Sequence, residues 1–200
     1  LLKADLPIKI NYEGDHVMYA ITKTSAMMMG DYYHYLTGMK VFNLRLPMIF
    51  SIPEKNWYYA HGEKKIIPFL SIIRDAMSGT RLEVWGDKNM KRDYVHMDNL
   101  LQMINLCLTT ELTAGIFNVG TGEAVTTEDF IRTVAEVFSP HGENCEIIYR
   151  PHNKTYKCTS YDISTEHDQL GYDPIYLREM LIRLKDDIIK TNIFKKWDWK

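Results

Sequence analysis

Near the N-terminus stands a helix without a sheet. Asp15 to Leu36 read as one helix of 22 residues, with apolar side chains at Val17, Ala20, Ile21, Met27 and Met28, and Gly38 ends it. Only a loop precedes it. A long amphipathic helix belongs against another element, and downstream strands and helices alternate as in an α/β protein. No strand ahead of the helix supplies the sheet edge it needs.

The rest of the chain reads as follows. Lys40 to Pro47 is a strand closed by proline, and Met48 to Lys65 is a long loop with an aromatic surface at Trp57-Tyr58-Tyr59, serving as a lid or as loop anchoring. Ile67 to Ser78 is a helix stopped at Gly79. Leu82 to Trp85 and Arg92 to His96 are strands around a Gly86-Asp87-Lys88-Asn89 turn, and Asp98 caps a helix to about Thr110. Gly115 to Val119 is a strand, Gly120-Thr121-Gly122 a turn, and Thr126 or Thr127 caps a helix over Glu128 to Phe138. Cys145 to Tyr149 is a strand, and helices over Ser164 to Leu170 and Leu177 to Lys190 close the chain.

Composition narrows the function classes. With 46% hydrophobic and 12% aromatic residues the chain is not disordered. Its net charge of −2 leaves no basic field for nucleic acid or anionic lipid, so any anion site is local. The longest apolar runs, such as Ile66 to Ile73, fall far below the roughly 18 residues that span a bilayer. Leu1 to Pro7 lacks the blocks of a signal peptide. Cys107, Cys145 and Cys158 are an odd, scattered set without metal-ligand spacing, and Asn153-Lys154-Thr155 is a chance sequon. A soluble cytoplasmic protein without a structural metal is expected.

Several short patterns carry chemistry. Tyr19-x-x-x-Lys23 places a phenol and an ammonium one helical turn apart, where the cation stabilises the phenolate and lets the tyrosine act as acid or base. About one such spacing arises by chance in a chain this rich in Tyr and Lys. Arg92, at a strand start beside turn amides, suits a diphosphate, or else forms a surface salt bridge with Asp93. Gly120-x-Gly122 fails as a dinucleotide fingerprint because position 125 is Val. Arg150-Pro151 follows a strand, as a ligand arginine or a solvated one. Asp162 or Ser164 caps the short helix that Gly171 and Pro174 end.

Taken in order, these patterns resemble the extended short-chain dehydrogenase/reductase family, the nucleotide-sugar epimerases and dehydratases. The residues that carry the resemblance are Tyr19 with Lys23, Leu44-Arg45, Ile67-Pro68-Phe69, Gly86-Asp87 with Arg92-Asp93-Tyr94-Val95-His96-Met97-Asp98, and Asn118-Val119-Gly120-Thr121-Gly122. Arg150-Pro151, Asp162-x-Ser164 and Leu170-Gly171-Tyr172 extend it to nearly the whole chain. The family's upstream glycine-rich turn for the NAD pyrophosphate, its acidic ribose ligand and its catalytic Ser/Thr have no counterpart here. The resemblance therefore implies a truncated chain and explains the helix that lacks a sheet.

What the resemblance implies is an NAD-dependent epimerase or dehydratase, with NADP as the alternative cofactor, acting on a nucleotide-diphosphate sugar by transient hydride transfer. The fold would be the C-terminal part of a Rossmann-type parallel sheet (residues 1–65) with a small α/β substrate-binding domain (residues 66–200) that returns elements to it. Tyr19 would be the acid/base. Lys23 would bind the nicotinamide ribose, Arg92 the diphosphate, Val84 and Trp85 the base, and Arg150 the phosphates or ribose, with Asn118 as a further substrate contact. A homodimer through the Tyr19 helix is implied, and loss of NAD binding and activity in the chain alone.

Departures from the family pattern are Thr22 where Ser is frequent, Met48 in place of an asparagine on the substrate diphosphate, and Phe50-Ser51 in place of Tyr-Gly. They leave the sugar open. Two alternatives stand beside the main reading: a non-catalytic nucleotide-sugar-binding fragment, and a reductase of the same family.

Overall fold

The computed structural model describes residues 1–14, 16–140, 145–153 and 160–199. Asp15 and Cys158 lie outside them, as does the rest of the sequon after Asn153.

Helix α1 (Val17–Thr37) ends where expected, at Gly38 (φ 71°), whose N–H reaches His34 O at 2.8 Å. A stripe of half-buried residues, Val17, Ala20, Ile21, Thr24, Met27, Gly30 and His34, runs down one face, yet no residue of the helix is fully buried. Strand β1 (Val41–Arg45) lies under that stripe. A Cβ on Gly30 would stand 3.0 Å from Val41 Cγ1, so glycine sets how closely helix and strand approach.

β1 pairs in parallel with β8 (Ala114–Asn118), from Val41 opposite Ala114 to Arg45 opposite Asn118. Side chains alternate across the pair. Val41 and Asn43 meet α1, where Asn43 Nδ2 donates to Asp31 Oδ1 at 3.2 Å. Phe42 and Leu44 face the other way, into a core of Met103, Cys107, Phe117, Val119 and Tyr172. Helix α3 (Met97–Thr109) brings Met103 and Cys107 to that core, so α1 and α3 cover opposite faces of the pair.

A larger core gathers α2 (Pro68–Met77), α4 (Thr127–Phe138) and α6 (Leu177–Thr191) around Phe50, Leu82, Val84 and Tyr94. Phe50, Tyr94 and Phe130 stack with ring centres 4.8 to 5.7 Å apart. Beneath them β5 (Leu82–Trp85) pairs in parallel with β10 (Ile147–Arg150), and β2 (Met48–Phe50) with β7 (Tyr94–His96). The α/β class expected from the sequence is observed, and residues on both sides of position 65 share each core. Helix α5 (Ser164–Leu170) matches its expected bounds, and a short α7 (Ile193–Lys196) follows α6. No helix among the described residues is long and apolar enough to cross a membrane.

Three expectations are corrected. Met48 to Lys65 is not a loop throughout: β2 opens it, and β3 (Trp57–Ala60) and β4 (Glu63–Ile66) form an antiparallel hairpin. Its two-residue turn puts His61 at φ 53° and Gly62 at φ 80°, the geometry that suits strand twist. The expected strand Arg92 to His96 is two strands. β6 (Lys91–Arg92) pairs antiparallel with β9 (Val125–Thr126), β7 turns to β2, and Asp93 marks the break. Finally, His96 and not Asp98 caps α3: His96 Nδ1 accepts from Asp98 N at 3.2 Å, and the Asp98 carboxylate pairs with Arg183 at 2.7 Å.

Candidate active site

Tyr19 and Lys23 lie one turn apart in the first half of α1, on the side away from β1. Tyr19 is 64% exposed, and the Lys23 ammonium sits 5.6 Å from the centre of its ring. The contact is cation–π in geometry.

A second group forms at the C-terminal ends of β5 and β10, where Arg150 stands opposite Trp85 in the parallel register. Ligands of open α/β sheets gather at such strand ends. Trp85 is 57% exposed, whereas Val84 is 1% exposed and its side chain fills the larger core, so of the two only Trp85 presents its side chain at the surface. Arg150 is engaged: its Nε and Nη2 donate to Glu83 Oε1 at 3.2 and 3.0 Å. The other oxygen, Glu83 Oε2, accepts from Trp85 Nε1 at 2.7 Å. These bonds, that of Trp85 first, hold the Glu83 carboxyl below its ordinary range.

A cavity of about 350 Å³ opens beside these strand ends, lined by Gly86, Asp87, Lys88, Tyr149 and Pro151. Its floor is braced from α4. Glu128 Oε1 accepts from Tyr149 Oη at 2.6 Å and from Arg132 Nη2 at 2.8 Å, and Lys88 approaches Oε2 at 3.2 Å. The Tyr149 hydroxyl, then Arg132 and Lys88, pull the Glu128 carboxyl down to about 2.

The third group surrounds the Gly120-Thr121-Gly122 turn. Asp93, 1% exposed, accepts from Thr121 N at 3.0 Å, Thr121 Oγ1 at 2.7 Å and Gly122 N at 3.3 Å. Burial raises its carboxyl above the usual range, and the Thr121 bonds oppose that rise. The Arg92–Asp93 surface salt bridge considered from sequence is thus replaced by an internal clamp. The turn amides already serve a carboxylate, so this G-x-G does not cradle a pyrophosphate. Arg92, on β6, is the residue just ahead of that clamp and is half-buried.

Asn118, expected from the resemblance as a further substrate contact, has its side chain in the interior. It is fully buried, and its Nδ2 donates to Leu2 O at 2.8 Å and Asp162 O at 2.9 Å, while its backbone N–H donates to Glu166 Oε1 at 2.5 Å. It acts as a brace. Tyr172 closes the same interior by donating to Gly120 O at 3.1 Å, and burial pushes its phenol well above the ordinary range.

The structure therefore joins Tyr19 with Lys23, and Trp85 with Arg150, and ties Arg92 through Asp93 to the turn after Asn118. Sequence reasoning missed Glu83 and Glu128. The one local hint for Glu83 was its spacing of two from Trp85 on a strand, which puts both on one face.

Residues 7–120 match the model of the NAD dependent epimerase/dehydratase family. A dTDP-glucose 4,6-dehydratase of Xanthomonas campestris pv. campestris is 24% identical over 185 residues, 87% of this chain and 49% of its own. Among solved structures, the UDP-N-acetylglucosamine 4-epimerase from Bacillus cereus superposes with a TM-score of 0.70 at 19% identity, covering 90% of this chain and 56% of that one. The UDP-glucose 4-epimerase of Thermotoga maritima, solved with UDP-glucose, gives 0.68 at 22% identity, covering 88% and 54%. The chain spans about half the length of the curated relatives it matches.

Proposed function

The chain belongs to the NAD-dependent epimerase/dehydratase family, and from that premise we propose that it is the catalytic-tyrosine and substrate-binding portion of an enzyme acting on a nucleotide-diphosphate sugar. The observation that carries the reading is the presence in one chain of an exposed Tyr19–Lys23 face and of a second cluster, Trp85 and Arg150, beside a cavity at parallel strand ends.

In this reading the Tyr19 phenolate accepts the proton of a sugar hydroxyl and the resulting phenol returns it, with the Lys23 ammonium stabilising the phenolate by charge. Trp85 offers a flat face to the base, and Arg150 and Arg92 offer N–H donors to the phosphates. The residues present fit the nicotinamide-ribose end of NAD, since a phenol and an ammonium share one exposed face; the clamped Gly120–Gly122 turn does not fit the pyrophosphate end. NAD, when bound, supplies the hydride acceptor and donor. Residues 1–65 contribute the cofactor side and 66–200 mainly the substrate side.

A second copy of the chain docked on α1 accounts for the exposed Met18, Met28, Met29, Tyr32, Tyr33, Tyr35 and Leu36. A monodisperse monomer in light scattering refutes this dimer.

Calorimetry of the chain with NAD and with UDP- and dTDP-sugars, followed by turnover assays of Tyr19→Phe in the full-length enzyme, tests the proposal. Sugar-nucleotide binding that survives Tyr19→Phe while turnover falls by about a hundredfold or more supports it; turnover unchanged by the substitution overturns it. Sugar-nucleotide binding with neither NAD affinity nor turnover instead favours a binding fragment, a reading that the clamped turn supports. Net consumption of reduced cofactor favours a reductase.

A further inference from the structure

Trp85 and Arg150 lie on separate strands, and nothing in their own geometry keeps an exposed indole and a long guanidinium stem in one arrangement. Glu83 does. Two residues before Trp85 on β5, it shares that residue's face of the strand, and its carboxylate divides between the two partners. Oε2 takes the indole N–H at 2.7 Å, and Oε1 takes Arg150 Nε and Nη2 at 3.2 and 3.0 Å. With the indole 57% exposed, packing alone fixes it weakly. We propose that Glu83 is a positioning residue that presets the Trp85 ring and the Arg150 guanidinium as a clamp for a nucleoside diphosphate, the ring to stack on the base and the guanidinium to meet a phosphate.

This inference rests on the nucleotide-sugar reading and extends it to a residue that touches no ligand. The donor inventory allows it. Arginine carries five N–H groups, and those Glu83 uses lie on Nε and Nη2, so Nη1 remains to donate. The electrostatic cost is definite, because a carboxylate beside Arg150 cancels charge that would attract phosphate. Charge alone therefore requires that neutralising Glu83 tighten diphosphate binding, whereas preorganisation requires that it weaken binding.

The opposed signs make the test. UDP and dTDP are titrated calorimetrically into the 200-residue chain, its Glu83→Gln variant and its Trp85→Phe variant, which keeps a stacking ring and loses the N–H. Thermal melting monitors the fold of each. The indole N–H resonance of Trp85, identified by its loss in Trp85→Phe, reports the clamp directly. Positioning predicts that Glu83→Gln weakens binding about tenfold, the size of one lost charge-assisted hydrogen bond. It also predicts that UDP shifts the Trp85 resonance in the parent and not in Glu83→Gln, and that Trp85→Phe weakens binding as well. If Glu83→Gln does not fold, the Trp85→Phe affinity decides. Equal or tighter binding by the folded variants, with the parent binding, overturns the positioning role and leaves the nucleotide reading intact. A parent chain that binds neither nucleotide overturns both.

Discussion

Arg45 and Asn118 face each other on the last rung of the β1/β8 pair, and both reach the N-terminal segment: Arg45 Nη2 donates to Leu6 O, and Asn118 Nδ2 to Leu2 O, each at 2.8 Å. Leu2 also forms a parallel bridge with Tyr161, donating from its N–H to Ser160 O and accepting from Asp162 N. The stretch that leads into α1 is thereby tied at two points to the end of the sheet and to the C-terminal segment. Since α1 itself buries no residue, these ties and the β1 contact fix where Tyr19 and Lys23 stand.

Asn118→Ala tests the stronger tie. It removes both donated bonds, taking the side-chain donor from the Asp162 carbonyl and leaving the Leu2 carbonyl with the Asp162 N–H alone, in a part-buried setting. The expected loss is about 2 to 3 kcal/mol, read from urea unfolding, with faster amide exchange at Leu2 and Asp162. Arg45→Met should cost less, its donor being one half-exposed contact. Equal stability of Asn118→Ala and the parent refutes the brace.

Local rules made much of this legible. Helix α5 could be read to its end residues because Asp162 accepts from Ser164 N at its start and Gly171 takes φ 70° at its end, both properties of short peptides. Tyr19 and Lys23 meet for the same reason, since helical pitch alone brings them together. What escaped was set by distant partners. The break at Asp93 depends on Thr121, 28 residues on, and the Glu83–Arg150 bond joins residues 67 apart. The 57–66 hairpin was hidden by a His-Gly turn in which a non-glycine residue holds a positive φ. Periodicity marked the inward face of α1 but carried no information on how little would cover the rest of it.

The Asp93 clamp depends on Gly120 as much as on Thr121. A Cβ at Gly120 would lie 2.6 Å from Asp93 Oδ2 and 2.7 Å from Tyr161 Cβ, closer than any real contact. Gly120→Ala should therefore cost about 2 kcal/mol or more through overpacking, while Gly38→Ala, with open space around it, should cost about 1 kcal/mol through its positive φ alone. Chemical denaturation of the two variants gives the comparison, and the reverse order would contradict the clamp.

Glu166 carries a pH signature. It is fully buried, Oε1 accepts from Asn118 N, and neither Glu166 Oε2 nor Asn118 Oδ1 finds a donor among the described residues. Burial raises its carboxyl above the usual range. A folded value above the unfolded one means that the native state binds the proton more tightly. The stability this contributes is full below the ordinary carboxylate range and is lost as pH rises through the folded value. Glu166→Gln keeps one acceptor oxygen, adds a donor and does not ionise. Its melting temperature should equal the parent's at low pH and exceed it at pH 8, by about 1 kcal/mol in stability; a parent advantage at pH 8 rejects this account.

Glu128 bears the opposite sign, which makes it an internal control. The Tyr149 hydroxyl, Arg132 and Lys88 hold its carboxyl down at about 2, so the ionised form belongs to the native state. The stability it contributes is present above the ordinary carboxylate value and drains away as pH falls toward about 2. Glu128→Gln weakens the side-chain bonds by which its carboxylate ties α4 to Tyr149 of β10 and to Lys88 of the 86–89 turn at neutral pH. It should melt below the parent at pH 7, and the gap should close as the pH approaches 2, where the parent carboxyl is itself neutral. Because Tyr149 and Lys88 line the cavity at the strand ends, the same variant should blunt any nucleotide-induced change in Tyr149 fluorescence or chemical shift. A melting gap that stays constant across the pH range means that Glu128 acts through packing and not through its charge.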